Sequence, residues 1–345
     1  MDAIRKGTPR TLAALSLIGV GLFAIPACVS QFPPKPAPGG GGTPPTPPVT
    51  PGAVGTLPGT NCTLFPANNA WHIDISRAPV SSHSRTWMTS TGATGGTKLH
   101  PDFGPSFDPA DPYYGIPYTV VSGSHPKIRI VSFEYNNESD HVAYPLGSDT
   151  KIESGRDHHA LIVDKNTCRL YETYHTNIPA RTASAGATWD LRSNALRPDN
   201  WTSGDLAGLP ILPGLLRVDE VRAGRVDHAT RVTFNVTDSR HVWPARHPMQ
   251  LEPPNYSVPP MGQRFRLKAN YPLTGLRSDT QTILRAFKKY GVISADNGWD
   301  WYIGGTAEPG WHQAMIEELL QVPANAFEAV DVSSHMVSPS SGQYR

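Results

Sequence analysis

The chain has 345 residues, with 30 Lys and Arg against 29 Asp and Glu, together with 35 Pro, 31 Gly and three Cys. A formal charge of +1 without a Lys/Arg cluster argues against a nucleic-acid partner, because phosphate binding needs a concentrated basic surface. Neither heptads nor a fixed-period repeat appears, which excludes coiled coils and solenoids.

Residues 1–27 read as a secretory signal: Arg5, Lys6 and Arg10 precede an apolar run over 11–25 that is too short for a comfortable membrane span. Ile25-Pro26-Ala27-Cys28 resembles the bacterial lipobox, with Pro26 at an unusual position. Cys28 is therefore the expected lipidation site; ordinary cleavage near Ala27, leaving Cys28 as a free thiol, is the alternative. Residues 28–59 are Pro/Gly-rich, nearly uncharged and poor in apolar side chains, so they read as a tether. Contact with a membrane is expected through the lipid anchor only. If Cys28 carries lipid, Cys62 and Cys168 remain as a pair, and an oxidising compartment makes a disulfide between them the economical reading.

Residues 60–335 are expected to form one domain, followed by a flexible tail over 336–345. In chain order, strands are expected over 118–121, 128–135, 159–163, 168–174, 187–191, 230–236, 265–269 and 301–303, each bounded by Pro, Gly, Asn or Asp. Helices are few: a short turn over 218–223, one over 280–290 with Ser278 and Gln281 spaced as a capping box and Gly291 as its stop, and one over 310–321. This pattern predicts a single, mainly β domain, a β-sandwich or β-barrel-like core with helical decorations.

The densest chemistry lies in DHHALIVDKNTCRLYETY, 157–174, read as a hairpin turning at Lys165-Asn166. Pairing back from that turn sets Leu161 opposite Leu170 and His159 opposite Glu172. Period two then puts Asp157, His159, Glu172 and Tyr174 on the same face as the apolar Leu161, Val163, Cys168 and Leu170. Charged groups on an inward face must be paired, bound to something, or at the mouth of a pocket. A structural His–Glu pair is the competing reading.

A second constellation spans 184–214. Trp189 and Leu191 alternate with Asp190 and Arg192, and a polar segment follows with Arg197, Trp201, Thr202, Ser203 and Asp205. Aromatic platforms beside Asp and Arg suit sugar rings. Alternatively Trp189 is core and Arg197 pairs with Asp190 or Asp205. Glu220 is a further candidate carboxylate, and Asp296-Asn297-Gly298 reads as a turn. No HExxH, GxSxG, dinucleotide fingerprint or phosphate loop occurs, so neither a metal nor a cofactor is predicted.

The runs RDHHALIVDKNTCRLYE, WDLRSNALRPDNWTSGDLAGLPILPGLLRVDEV and PPMGQRFRLK resemble a family of secreted bacterial β-rich proteins. The resemblance implies export and a single domain over about 65–331; it carries no activity and no catalytic residue across. The residues themselves point to an extracytoplasmic hydrolase, or a lyase, acting on a polysaccharide or cell-envelope glycan. Glu172 and Asp190 are the expected carboxyl pair, Glu220 is in reserve and His159 tunes Glu172. Asp157, Tyr174, Trp189, Arg197, Trp201 and Asp205 are expected to bind substrate. The alternatives are a non-catalytic carbohydrate- or surface-binding domain and a structural envelope protein. Convergence of His159, Glu172, Asp190 and Arg197 in one cleft discriminates between them.

Overall fold

A computed structural model describes residues 55–249 and 253–345. The signal segment, Cys28 and most of the tether lie outside the described residues. Among the described residues the fold is mainly β, with four α-helices: α1 (Ser84–Ser90), α2 (Val218–Arg222), α3 (Ser278–Lys289) and α4 (Gln313–Leu319). It starts slightly before residue 60, since Leu57 is fully buried.

Two larger sheets organise it. A six-stranded mixed sheet runs in the order His100–Asp102, Tyr302–Gly304, Thr230–Phe234, Val292–Asn297, Arg264–Leu267, Phe327–Val330. The second, four-stranded, runs Ala185–Asp190, Arg169–Tyr174, Ala160–Asp164, Tyr118–Val121. Period-two alternation explains the six-stranded sheet: in Thr-Arg-Val-Thr-Phe, Val232 and Phe234 take one face, while Arg231 and Thr233 take the other. The apolar face joins Phe234, Phe265, Trp301 and Phe327, whose rings lie 5.1–5.6 Å from their neighbours; Phe287 of α3 packs on Phe327 at 6.0 Å. One apolar cluster draws on both sheets, with Leu161, Val163 and Leu170 from the smaller and Val232, Phe265 and Ile303 from the larger.

Several expectations need correction. The central strand Val292–Asn297 was not anticipated; Asp296 and Asn297 belong to it, and the turn begins only at Gly298. The stretch 128–135 breaks into Ile128–Arg129 and Ser132–Phe133. Helix α3 begins two residues early at Ser278, and no capping box forms: its N-cap is Arg277, without a side-chain cap, and Gln281 donates to the Leu276 carbonyl. Gly291 does end it, at φ +69°. The final ten residues return to the domain, where Ser341 O accepts from the Trp243 indole at 2.7 Å and Pro339 O from Arg246 at 2.7 Å. Cys62 and Cys168 are disulfide-bonded across 106 positions of sequence.

The hairpin register is also shifted. Asp164 pairs with Arg169 and Leu161 with Glu172, so four residues, 165–168, make the turn. The cause is local: Asp164 Oδ1 accepts from the backbone N–H of Asn166 and of Thr167, and Cys168 adopts φ +51°, which adds two residues to the loop. A two-residue shift preserves faces. His159 and Glu172 thus remain on the inner face, but His159 lies beside Tyr174, ring centroids 5.2 Å apart, and not opposite Glu172.

Candidate functional site

Charged and polar side chains converge where the inner face of the hairpin meets the Arg231 face of the six-stranded sheet, a junction called the cleft from here on. His159 is buried at its base. Its Nδ1 lies 2.5 Å from Glu153 Oε2 and its Nε2 lies 3.3 Å from Gly204 O. Both neighbours are acceptors, so only the doubly protonated imidazolium satisfies both. Burial opposes that charge, but the hydrogen bond and charge of Glu153, with Asp205 behind them, prevail and lift the His159 pKa to about 9.

Arg231 crosses the floor. Its guanidinium grips Asp205 with two hydrogen bonds, 2.9 and 2.5 Å, and Asp205 is wholly buried. Gly304 makes the crossing possible, since a Cβ there would sit 3.0 Å from Arg231 Cγ. Asp296 approaches the same guanidinium at 3.7 Å and keeps a quarter of its side chain in contact with water. Its Oδ1 accepts from the N–H of Asn297 (2.8 Å) and, more weakly, of Leu206 (3.3 Å). Burial, then the adjacent Asp205 charge, push the Asp296 carboxyl up to about 7 against the pull of Arg231 and His159.

Asp102 stands in register with Gly304, which adjoins Arg231 across the sheet. It is open to water yet hemmed in by the walls, and desolvation raises its pKa, with Glu153 and Asp157 adding to the rise and Arg231 opposing it. Tyrosines flank the acids. Tyr114 and Tyr302 feel the charge of Asp102, whereas Tyr135 and Tyr174 feel that of Asp296. Burial first, then the carboxylates, push the phenols of Tyr114 and Tyr174 up to about 12.

Of the residues expected from sequence, His159, Asp205, Asp157 and Tyr174 come together here. The others do not. Glu172 is fully buried and receives the backbone N–H groups of Ile211 (3.0 and 2.9 Å) and Leu212 (2.9 Å), so it fastens a loop. Asp190 pairs with Arg169, three positions along from the Ala187–Glu172 pair, and therefore points to the opposite face of its sheet. Glu172 and Asp190 cannot flank one bond. Glu220 belongs to a separate buried network with Arg217 (2.6 Å) and His228 (3.1 Å). Trp189 is core, and Arg197 lies between Trp189 and Trp201, spent on Asp140 Oδ2, Glu138 O and Thr202 O.

Sequence reasoning missed Asp102, Glu153 and Arg231 altogether. Arg231 had a usable signal, a lone charge in an otherwise strand-like run; Asp102 had none, because it is far in sequence from Arg231, and Glu153, six residues before His159, lies outside the hairpin whose alternation was read.

Comparison with protein-family models, with curated proteins and with solved structures finds no match for this chain. The site therefore has to be read from its chemistry. Among the described residues no group of three or more His, Cys, Asp or Glu is placed to hold a metal ion. A cavity of about 730 Å³ lies apart from the cleft, against Trp87, Trp243 and His241. Its Asp199 is tied to His241 (3.3 Å) and Arg246 (3.2 Å), and it contains none of the cleft carboxyls. The cleft is the stronger candidate because Asp296 and Asp102 are both pushed above the usual carboxylate range while still reaching water.

Proposed function

We propose that the domain is an extracytoplasmic hydrolase that cleaves glycosidic bonds in a polysaccharide. The observation that supports this most is Asp296: a water-reachable carboxyl pushed up to about 7, on the same sheet face as a second, exposed carboxyl, Asp102. A carboxyl that keeps its proton toward neutral pH, with a second carboxyl reaching water on the same face, is what acid–base cleavage of a glycoside needs. In this reading Asp296 protonates the leaving glycosidic oxygen. Asp102, the exposed carboxylate across the floor, takes a proton from the water that attacks the anomeric carbon as the C–O bond breaks. The Glu153–His159 ion pair holds the wall next to them.

A lyase is disfavoured. Removing a proton beside a sugar carboxylate needs a cation to neutralise it, and the cations of this cleft, Arg231 and His159, are already committed to Asp205 and Glu153.

The test is a screen of the full chain against a panel of polysaccharides and peptidoglycan with product analysis. On whichever glycan is cleaved, Asp296→Asn and Asp102→Asn are each expected to lower kcat by about 10²–10⁴-fold with a smaller change in KM. Wild-type kcat/KM should fall as pH rises through about 7, where Asp296 loses its proton. Variants that keep kcat within about twofold would remove both residues from the chemistry. Binding without cleavage by the wild type would instead favour a carbohydrate-binding domain.

A further inference from the structure

Aromatic rings on the Arg231 face of the six-stranded sheet continue the cleft beyond its acids. Thr233 pairs with Tyr302, and Tyr302 with His100, so these three side chains emerge on the same face as Arg231 and Asp102. The Tyr302 and His100 rings stack at 3.9 Å. At the Thr233 end the chain turns through Gly298, Trp299 and Asp300. Thr233 Oγ1 donates to Trp299 O at 2.7 Å, and Gly298 N–H donates to Phe234 O, which fixes the turn on the rim of this face. The Trp299 side chain is 73 % exposed, in a turn held by hydrogen bonds at its base. At the other end lies Tyr114, close enough to Asp102 for their charges to interact, with its hydroxyl donating to Pro101 O at 3.1 Å.

We propose that this row of rings is a rail for an uncharged glycan chain, with Trp299 as the stacking platform at one end. The proposal rests on the glycan reading of the cleft and adds the substrate class and the direction in which it lies. Trp299 and Tyr302 offer apolar faces for sugar rings, while Asp102, Asp296 and the tyrosine hydroxyls accept and donate hydrogen bonds to sugar hydroxyls. The Thr233 and Arg231 rows are two residues apart along the strand, about 7 Å, so successive rows meet successive parts of an extended chain. Charge selects against polyuronates. Asp102, Glu153, Asp157 and Asp296 line the cleft, whereas its cations, Arg231 and His159, are already paired with Asp205 and Glu153. A chain that spans the row with the acids beside its middle is cut internally.

The experiment is affinity electrophoresis of the full chain in gels containing xylan, mixed-linkage β-glucan, arabinan or galactan, with polygalacturonate as the anionic counterpart. The Asp296→Asn variant is run alongside, so that retardation is measured without cleavage. At least one neutral glycan should retard the protein, and polygalacturonate should not. Trp299→Ala should weaken retardation by about three- to tenfold, the value of one ring stack, while Trp299→Tyr keeps most of it. Tyr256→Ala, an equally plain exposed aromatic that instead stacks beneath Arg240, should change nothing. Trp299→Ala binding like the wild type, retardation by polygalacturonate alone, or no retardation by any neutral glycan would each overturn the rail. Trp299-dependent retardation in a wild-type protein that cleaves nothing would sustain the rail and sink the catalytic assignment instead.

Discussion

His159 shows how much one residue's neighbours decide. Its two ring nitrogens face a carboxylate and a carbonyl, so the imidazolium is the form the fold accepts. Its folded pKa of about 9 lies above the unfolded value of 6.5. The stabilisation from the ion pair is therefore complete below about 6.5 and lost as pH rises through about 9, on the order of 3 kcal/mol for a fully buried group. Asp296 and Glu172 are also raised, and they weaken the fold as pH rises from 3.8 and 4.5 toward about 7 and about 8, so the comparison has to be made against a variant. Thermal unfolding of wild type and Glu153→Gln should differ clearly near pH 6 and converge near pH 9.5. Parallel profiles would contradict the pairing.

Among the elements, the hairpin and the loop over 203–212 depend on one another through Glu172. Burial lifts its carboxyl to about 8 despite the backbone donors of Ile211 and Leu212, which places a neutral acceptor close to the loop's free N–H groups at ordinary pH. Those N–H groups belong to the turn that starts a short 3₁₀ segment, Leu212–Gly214, and have no helical partner. Glu172→Ala leaves them buried and unpaired, at a cost of about 2–4 kcal/mol in chemical denaturation. Glu172→Gln, which retains an acceptor oxygen, should cost about 1 kcal/mol or less. Equal losses for the two variants would show that packing, not acceptance of these hydrogen bonds, is what Glu172 contributes. The same loop carries Gly204 and Asp205, so the element-scale role of Glu172 is to seat the groups that meet His159 and Arg231.

At the scale of the whole molecule, the disulfide between Cys62 and Cys168 closes a long loop and ties the start of the domain to the hairpin turn. Such a bond persists where the surroundings are oxidising. Together with the basic and apolar opening of the chain and its Pro/Gly-rich spacer, it supports our inference that the domain works outside the cytoplasm, anchored by lipid on Cys28. Expressed in a bacterium with a lipidation pathway, wild type should take up a radiolabelled fatty acid and sediment with membranes. Cys28→Ser should do neither while remaining exported. A Cys28→Ser protein that still fractionates with membranes and carries label would rule the anchor out.

How much of this was legible beforehand follows from the range of each interaction. Alternation of side chains by two, the punctuation by Pro and Gly, and the count of cysteines are local or compositional, so the sequence by itself determined a mainly β domain with few helices, the inward placement of His159 and Glu172, and the pairing of Cys62 with Cys168. The hairpin register escaped by two residues because an Asp side chain bonding its own turn outweighed the shortest loop. His159, Asp157, Tyr174 and Asp205 were among the residues expected to act, but their meeting with Asp102, Glu153, Arg231 and Asp296 could not be read. Asp102, Glu153, Asp205, Arg231 and Asp296 come from five separate stretches and are brought together by parallel pairing of the Val292–Asn297 strand with Thr230–Phe234, by the hairpin's position and by the loop that Glu172 holds. Only the tertiary structure decides which of many acids share a field, because electrostatic neighbourhood depends on distance in space and is indifferent to distance along the chain.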